Sequence, residues 1–329
     1  MKQKVLVIME MVALGGLILF LIPRLPFAQE FPAKPVNVLV AYSPGAAVDL
    51  SFRTLASKVE KFLGQPLIIS NNGAGGSTVG VGIVAKEKPD GYHLLVAMGM
   101  GLVWFPQVRA VPYKYDDFIP IVHYGTFHAG VAARADAPFK TLKEFVEYAK
   151  KNKGKVNYST GGAGSPHHLA MEYIAKKEGI EWTTIPYPGG APALTALLGG
   201  HVQACSANTS SWIPQVNAGT VRILATYGKT RMKTIPGVPT LLELGYNFIY
   251  DDGFIVAAPK GVPMSIVKKL DDAFRRSTED PEFIQAMAKI DIEVAYRNSE
   301  DTKKYIEESY VRFGKLLQEV PLPKEEEKK

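Results

Sequence analysis

Cysteine is almost missing: the 329 residues hold one, Cys205. No disulfide can form within the chain, and cysteine-based metal sites are excluded. The histidines do not replace them, because His123/His128 and His167/His168 lack partner carboxylates at ligand spacing. No GxxxxGK[ST] occurs, and no GxSxG. A phosphate-cradling loop and a nucleophile elbow are therefore both lacking. No basic block interleaved with aromatics appears, which argues against nucleic acid. Low-complexity segments are lacking too: the 30 glycines and 23 prolines are scattered as many tight turns.

What is present is an ordinary globular composition, 47% hydrophobic and 21% charged, long enough for two core-forming lobes. The start differs. Met1 to Lys4 is basic, Val5 to Ile22 is apolar but for Glu10, and Pro23 to Glu30 follows. Residues 1–28 read as an export signal cleaved after Ala28, which places the protein in the periplasm or otherwise outside the cytoplasm. The apolar run exceeds the ~7–15 residues of a typical signal core, so an uncleaved anchor is the alternative. No cysteine directly follows the run to carry a lipid. Cleavage removes three basic residues and one acidic one and lowers the formal charge from +6 to +4. That mild excess suits an anionic small molecule.

The chain is organised around residues 36–42 and the turn after them. Val36 to Tyr42 reads as a buried strand, Ser43-Pro44-Gly45 as a turn, and 50–63 as a helix with apolar positions on one face, stopped by Gly64. Strand, small-residue loop and helix together aim backbone N–H groups and the positive helix end at one spot, which suits a carboxylate or phosphate. A near copy follows about 120 residues later. Residues 156–160 are a strand, Gly161 to Pro166 the loop, and 167–177 a helix with Ser165 at its N-cap. Two such helix starts suggest two lobes facing one ligand; two independent turns are the plainer reading.

Between and after these units the pattern alternates. Strands are expected at 66–70, 93–98, 183–187, 202–207, 221–226, 253–258 and 291–295, with one or two more over 118–133. Helices are expected at 79–87, 141–151, 191–198, 211–218, near 239–244, and at 264–276, 280–289 and 299–319. Residues 99–116 read as irregular, and 321–329 as a charged, disordered tail. Such alternation implies α/β architecture with largely parallel sheets. Gly80 to Ala85 fits GxGxxA but lies inside a helix, so it reads as small residues packing on a sheet and not as a dinucleotide site. The glycine-rich loop at 73–77, with Ser77 at its end, is better placed to border a ligand.

Several residues carry two readings. Asp49 either caps its helix or selects among ligands, and Asn208 has the same ambiguity. Asp251 and Asp252 are either solvated or border a cleft. Ser165 with His168 would make an exported hydrolase, although His168 more simply packs and bonds to backbone. Cys205 reads as a small buried apolar residue.

An ordered set of loose motifs then emerges: Pro35-Val36 through Asp49, Gly64-Gln65-Pro66, Asn72 to Gly76, Pro89-Asp90-Gly91-Tyr92, Asp117 to Ile121, Tyr187 to Leu194, Pro236 to Thr240 with Glu243-Leu244-Gly245, and Ala258 to Pro263. In this order they resemble the extracytoplasmic receptors of tripartite tricarboxylate transporters, the Bug family, over nearly all of residues 31–320. The resemblance implies a two-lobed periplasmic-binding-protein fold with a hinged cleft, a central mostly parallel sheet in each lobe, and lobes at 29–130 plus 254–320 and at 131–253. It implies capture of a small organic carboxylate by a monomer, without a cofactor or catalysis, and delivery to membrane permease subunits. A solute sensor feeding a membrane signalling protein is the neighbouring reading. By position, Ser43, Gly45, Ala46, Asp49, Thr160, Gly164 and Ser165 would meet the ligand carboxylate through main-chain N–H groups and bridging waters. Ser77, His168, Asn208 and Asp252 complete the expected site. The sequence departs from the family pattern at Gly45-Ala46, where Gly-Gly is usual, at Asn72-Gly73, where Arg-Pro-Gly is usual, and at Asp251, where an aromatic is common. Two acidic residues there would disfavour a dianion or accept an ammonium group.

Overall fold

The computed structural model describes residues 30–322. The expected leader and nearly all of the charged tail lie outside the described residues. The organising strand is β1 (Val36–Val40). Val36, Val38 and Val40 enter one buried cluster while Leu39 packs against another, so both faces are covered. A turn leads into α1 (Ala47–Leu63), which ends where Gly64, at φ +75°, donates its N–H to Glu60 O at 3.0 Å. Next come β2 (Leu67–Asn71), α2 (Thr78–Val84) and β3 (His93–Met98). Strand β1 pairs in parallel with both β2 and β3. The small residues of α2 allow close packing: a Cβ on Gly80 would sit 2.6 Å from Asn72 O, and one on Gly82 2.6 Å from Pro112.

The stretch expected to be irregular from 99 is partly helical. A π-helical turn at Met100–Trp104 runs into α3 (Phe105–Val108). Leu102, Val103 and Trp104 are buried. This segment carries no clear helical period, and tertiary packing decides its conformation. Strand β4 (Phe118–Phe127) then passes through a single residue, His128, into β5 (Ala129–Arg134).

A second αβ series follows: α4 (Leu142–Lys151), β6 (Asn157–Thr160), α5 (Pro166–Glu178), β7 (Thr183–Pro186), α6 (Gly190–Leu198), β8 (Ala204–Asn208), a 3-10 turn at Thr209–Ser211, α7 (Ile213–Asn217) and β9 (Val221–Thr226). Thr141 caps α4 as its sequence promised, accepting the Glu144 N–H at 3.2 Å. The helix expected near 239–244 is one turn only. Thr240 and Glu243 exchange side-chain-to-backbone bonds at 2.8 and 3.1 Å, and Gly245 at φ +91° ends the turn. The chain returns through β10 (Asp252–Pro259), α8 (Met264–Thr278), α9 (Pro281–Lys289), β11 (Glu293–Arg297) and the long α10 (Ser299–Glu319).

The strands form two sheets, ordered β11-β4-β10-β3-β1-β2 and β7-β6-β8-β5-β9. The α/β class stands, but the sheets are mixed and not mostly parallel. Strands β4, β5, β9 and β10 carry the chain from one sheet to the other and back, and the pairs they form are antiparallel. Helix α10 reaches across both halves. Its Phe313 packs edge-on against Trp104 at 5.3 Å and against Tyr250 at 6.0 Å, and Glu319 pairs with Lys177 at 2.7 Å.

Candidate functional site

Both glycine-bearing helix starts are closed by the same device. Gly45, at φ +81°, donates its N–H to Asp49 Oδ2 at 2.9 Å. Gly164, at φ +66°, donates its N–H to His168 Nδ1 at 3.1 Å. In each loop a left-handed glycine bonds a side chain four residues on, in the first turn of the helix. Only glycine takes that backbone conformation without strain.

In the first loop Asp49 does more than close the turn. Its Oδ1 accepts from Arg53 Nε at 2.9 Å and from Asn71 Nδ2 at 2.8 Å. Burial opposes ionisation here, but the Arg53 guanidinium, the Gly45 N–H and the Asn71 amide outweigh it and hold the carboxyl below the usual range. Asp49 thus positions the loop, with both carboxylate oxygens engaged within the protein. Arg53 and Asn71, which the sequence reading did not single out, are its partners. Ala46 N–H is also engaged, by Ser43 O at 3.2 Å. Among the described residues, the donors left at this helix start are the first-turn N–H groups of Ala47, Val48 and Asp49, which have no acceptor one turn back.

In the second loop Ser165 Oγ accepts the His168 backbone N–H at 3.3 Å and donates to Gly162 O at 2.8 Å, with Thr160 Oγ1 at 3.5 Å. Because His168 Nδ1 accepts, its neutral ring carries the proton on Nε2, beside Thr184 Oγ1 at 3.3 Å. Burial lowers the His168 pKa, against the pull of Glu172. The Ser165 hydroxyl and the His168 ring are therefore each directed elsewhere. The N–H groups of Gly162, Ala163 and His167 donate to no acceptor among the described residues.

The other expected residues fall around these loops. Ser77 is fully buried at φ +88°, and its hydroxyl lies beside the Tyr42 phenol without a hydrogen bond of good geometry. Asn208, half-buried at the end of β8, accepts from His167 Nε2 at 2.9 Å. Burial pushes the His167 pKa down to about 4, so that ring is neutral at ordinary pH. Asp252 is 2% exposed and caps the helical segment after β3: its Oδ1 accepts Met100 N–H at 3.0 Å and its Oδ2 the Tyr250 hydroxyl at 3.0 Å. Burial pushes its pKa up to about 6. It is a buried strut and not a cleft-facing carboxylate. The sequence shows an acidic pair; it does not show that a helix needing a cap lies 150 residues earlier.

Glycines also let the loops approach one another. A Cβ on Gly73 would meet Ser43 N at 2.8 Å, so the 73–77 loop lies on the first helix start. A Cβ on Gly161 would meet Gly190 N at 3.2 Å, so the second loop lies on the start of α6, where Gly189 stands at φ +116°. In the sequence the signal for this third helix start is Pro188-Gly189-Gly190, which repeats the small-residue turn. Trp104 Nε1 donates to Gly164 O at 3.0 Å and ties the segment after β3 to the second loop. Beside that bond is a cavity of about 400 Å³ lined by Gly76, by the segment from Met100 to Arg109 and by Gly161 to Ser165. A larger hollow of about 730 Å³, between β4, α8 and α10, touches none of the expected site residues.

The fold agrees with what the comparisons find. The tripartite tricarboxylate transporter family receptor pattern matches residues 51–322. A UPF0065 protein of Cupriavidus necator is 35% identical over 314 residues, covering 95% of each chain. The protein BugT of Bordetella pertussis is 28% identical over 299 residues, covering 89% of this chain and 91% of that one. Among solved structures, a TctC solute-binding protein from Polaromonas, without ligand, superposes with a TM-score of 0.81 at 28% identity, over 88% of this chain and all of that one. The periplasmic binding protein BugD superposes with a TM-score of 0.70 at 31% identity, over 89% and 99%. MatC from Rhodopseudomonas palustris, with bound malate, does so with a TM-score of 0.70 at 25% identity, over 87% and 100%. With its two mixed sheets and its paired helix starts, this chain belongs to the tripartite tricarboxylate transporter receptor family of periplasmic solute-binding proteins.

Proposed function

We propose that the protein is an exported receptor that captures a small carboxylate-bearing metabolite between its two halves and hands it to the permease subunits of a tripartite tricarboxylate transporter. One observation carries this reading: two helix starts, closed by matching glycine-to-side-chain bonds, keep N–H groups without acceptors among the described residues, those of Ala47, Val48 and Asp49 at the first and of Gly162, Ala163 and His167 at the second. A carboxylate supplies the missing acceptors and the negative charge that a helix start favours. The malate seen with MatC is a ligand of that chemistry. Two such contacts contribute about 1–2 kcal/mol each, whereas micromolar affinity needs about 8 kcal/mol. Closure over the rest of the ligand supplies the balance.

The hydrolase reading is disfavoured because the Ser165 hydroxyl donates to Gly162 O while the His168 ring accepts from Gly164. The test is calorimetric titration with malate and other small carboxylates, repeated on Ala163→Asp. Ala163 is exposed, so the unliganded melting temperature should stay put. A negative charge on the loop should weaken any carboxylate at least tenfold. Equal affinity in both proteins would remove the second loop from the site.

A further inference from the structure

The cavity beside the Trp104–Gly164 bond is chemically lopsided. One wall is apolar: Met100, Trp104, Phe105 and Val108 from the segment after β3, with Leu317 and Leu322 from the end of the described chain. The rest of the lining includes Gly161 to Ser165, a loop in which the N–H groups of Gly162 and Ala163 have no acceptor among the described residues. Among the described residues, no acidic side chain lines the cavity, and the one charged group on the lining is Arg109. Its guanidinium lies 3.6 Å over the Phe105 ring and 3.3 Å from where a Cβ of Gly76 would stand.

A polar dicarboxylate is the poorer match to such a space, because along the Met100–Val108 wall only the Gln107 amide and the Arg109 guanidinium could replace the water its second carboxylate loses. We infer that the ligand is a carboxylate with an apolar body, its head at the loop and its chain or ring along the Met100–Val108 wall. This rests on the carboxylate-receptor reading and narrows it. About 400 Å³ is within the range of small-molecule sites, at roughly 300–1,000 Å³. Each methylene buried there should tighten binding by about three- to fourfold until the space is full.

The experiment titrates the purified chain with acetate, butyrate, hexanoate, octanoate, phenylacetate and malate. It then repeats the series on Val108→Trp, which fills the cavity from a half-buried position. Affinity should climb along the aliphatic series, phenylacetate should exceed malate at least tenfold, and Val108→Trp should flatten the climb while its unliganded melting temperature holds. If malate binds at least as tightly as phenylacetate, or if Val108→Trp leaves the chain-length dependence intact, the apolar-bodied ligand is refuted while the carboxylate receptor stands. Binding of no carboxylate at all would overturn both.

Discussion

Asp49 and Asp252 are buried carboxyls with opposite electrostatics, and the pH dependence of stability separates them. The Asp49 carboxyl is held low by the outcome of burial against Arg53, Gly45 and Asn71. Its contribution is present above its unfolded value of about 4 and is lost as pH falls through the lower folded value. Asp49→Ala should cost about 2–3 kcal/mol at pH 7, because Gly45 N–H and Arg53 lose their acceptor, and acid unfolding should become shallower. Asp252, pushed up to about 6 by burial, behaves in reverse. The folded state holds a proton that the unfolded state releases, so this residue's contribution falls as pH rises from about 4 to about 6. Asp252→Asn should remove that fall, worth at most ~3 kcal/mol, and denaturant titrations of both proteins between pH 4 and 7 would read it. Parallel profiles would mean that Asp252 does not titrate in this window.

Among elements, the helix starts are the sensitive pieces. Gly164→Ala places a Cβ on a left-handed residue and should destabilise by about 1 kcal/mol. Trp104→Phe keeps the ring packing against Phe313 but removes the bond to Gly164 O. Thermal denaturation should show about 1 kcal/mol lost. A variant melting like the parent would show that packing alone holds the two segments. This level is also where the sequence was most and least legible. The strand-loop-helix units at 36–63 and 156–178 announced themselves through valine runs, glycine turns and the Ser165-Pro166 start, all local signals. The sequence leaves the role of Asp49 open, because Asn71 lies on another strand and no local pattern links the two. The helical segment after β3 is not legible in the sequence for the same reason: its cap, Asp252, comes from a strand far along the chain.

For the whole molecule, the crossing strands matter most. Gly253 begins the return into the first sheet, and a Cβ there would come 2.2 Å from His123 Nε2. Gly253→Ala should therefore destabilise both halves together by about 2–3 kcal/mol, seen as one transition moved to lower temperature. Two separate transitions would mean that the halves melt independently. Strand β4 lies between β10 and β11 in its sheet, and both are translated more than a hundred residues after it. The five strands of the other sheet, by contrast, are consecutive from Ala129 to Thr226. On the ribosome that second sheet can be completed first, while β4 waits with both edges bare until β10 emerges and with one edge bare until residue 297 does. A chain built this way keeps one flank of its first sheet unfinished until nearly the last of it has been made.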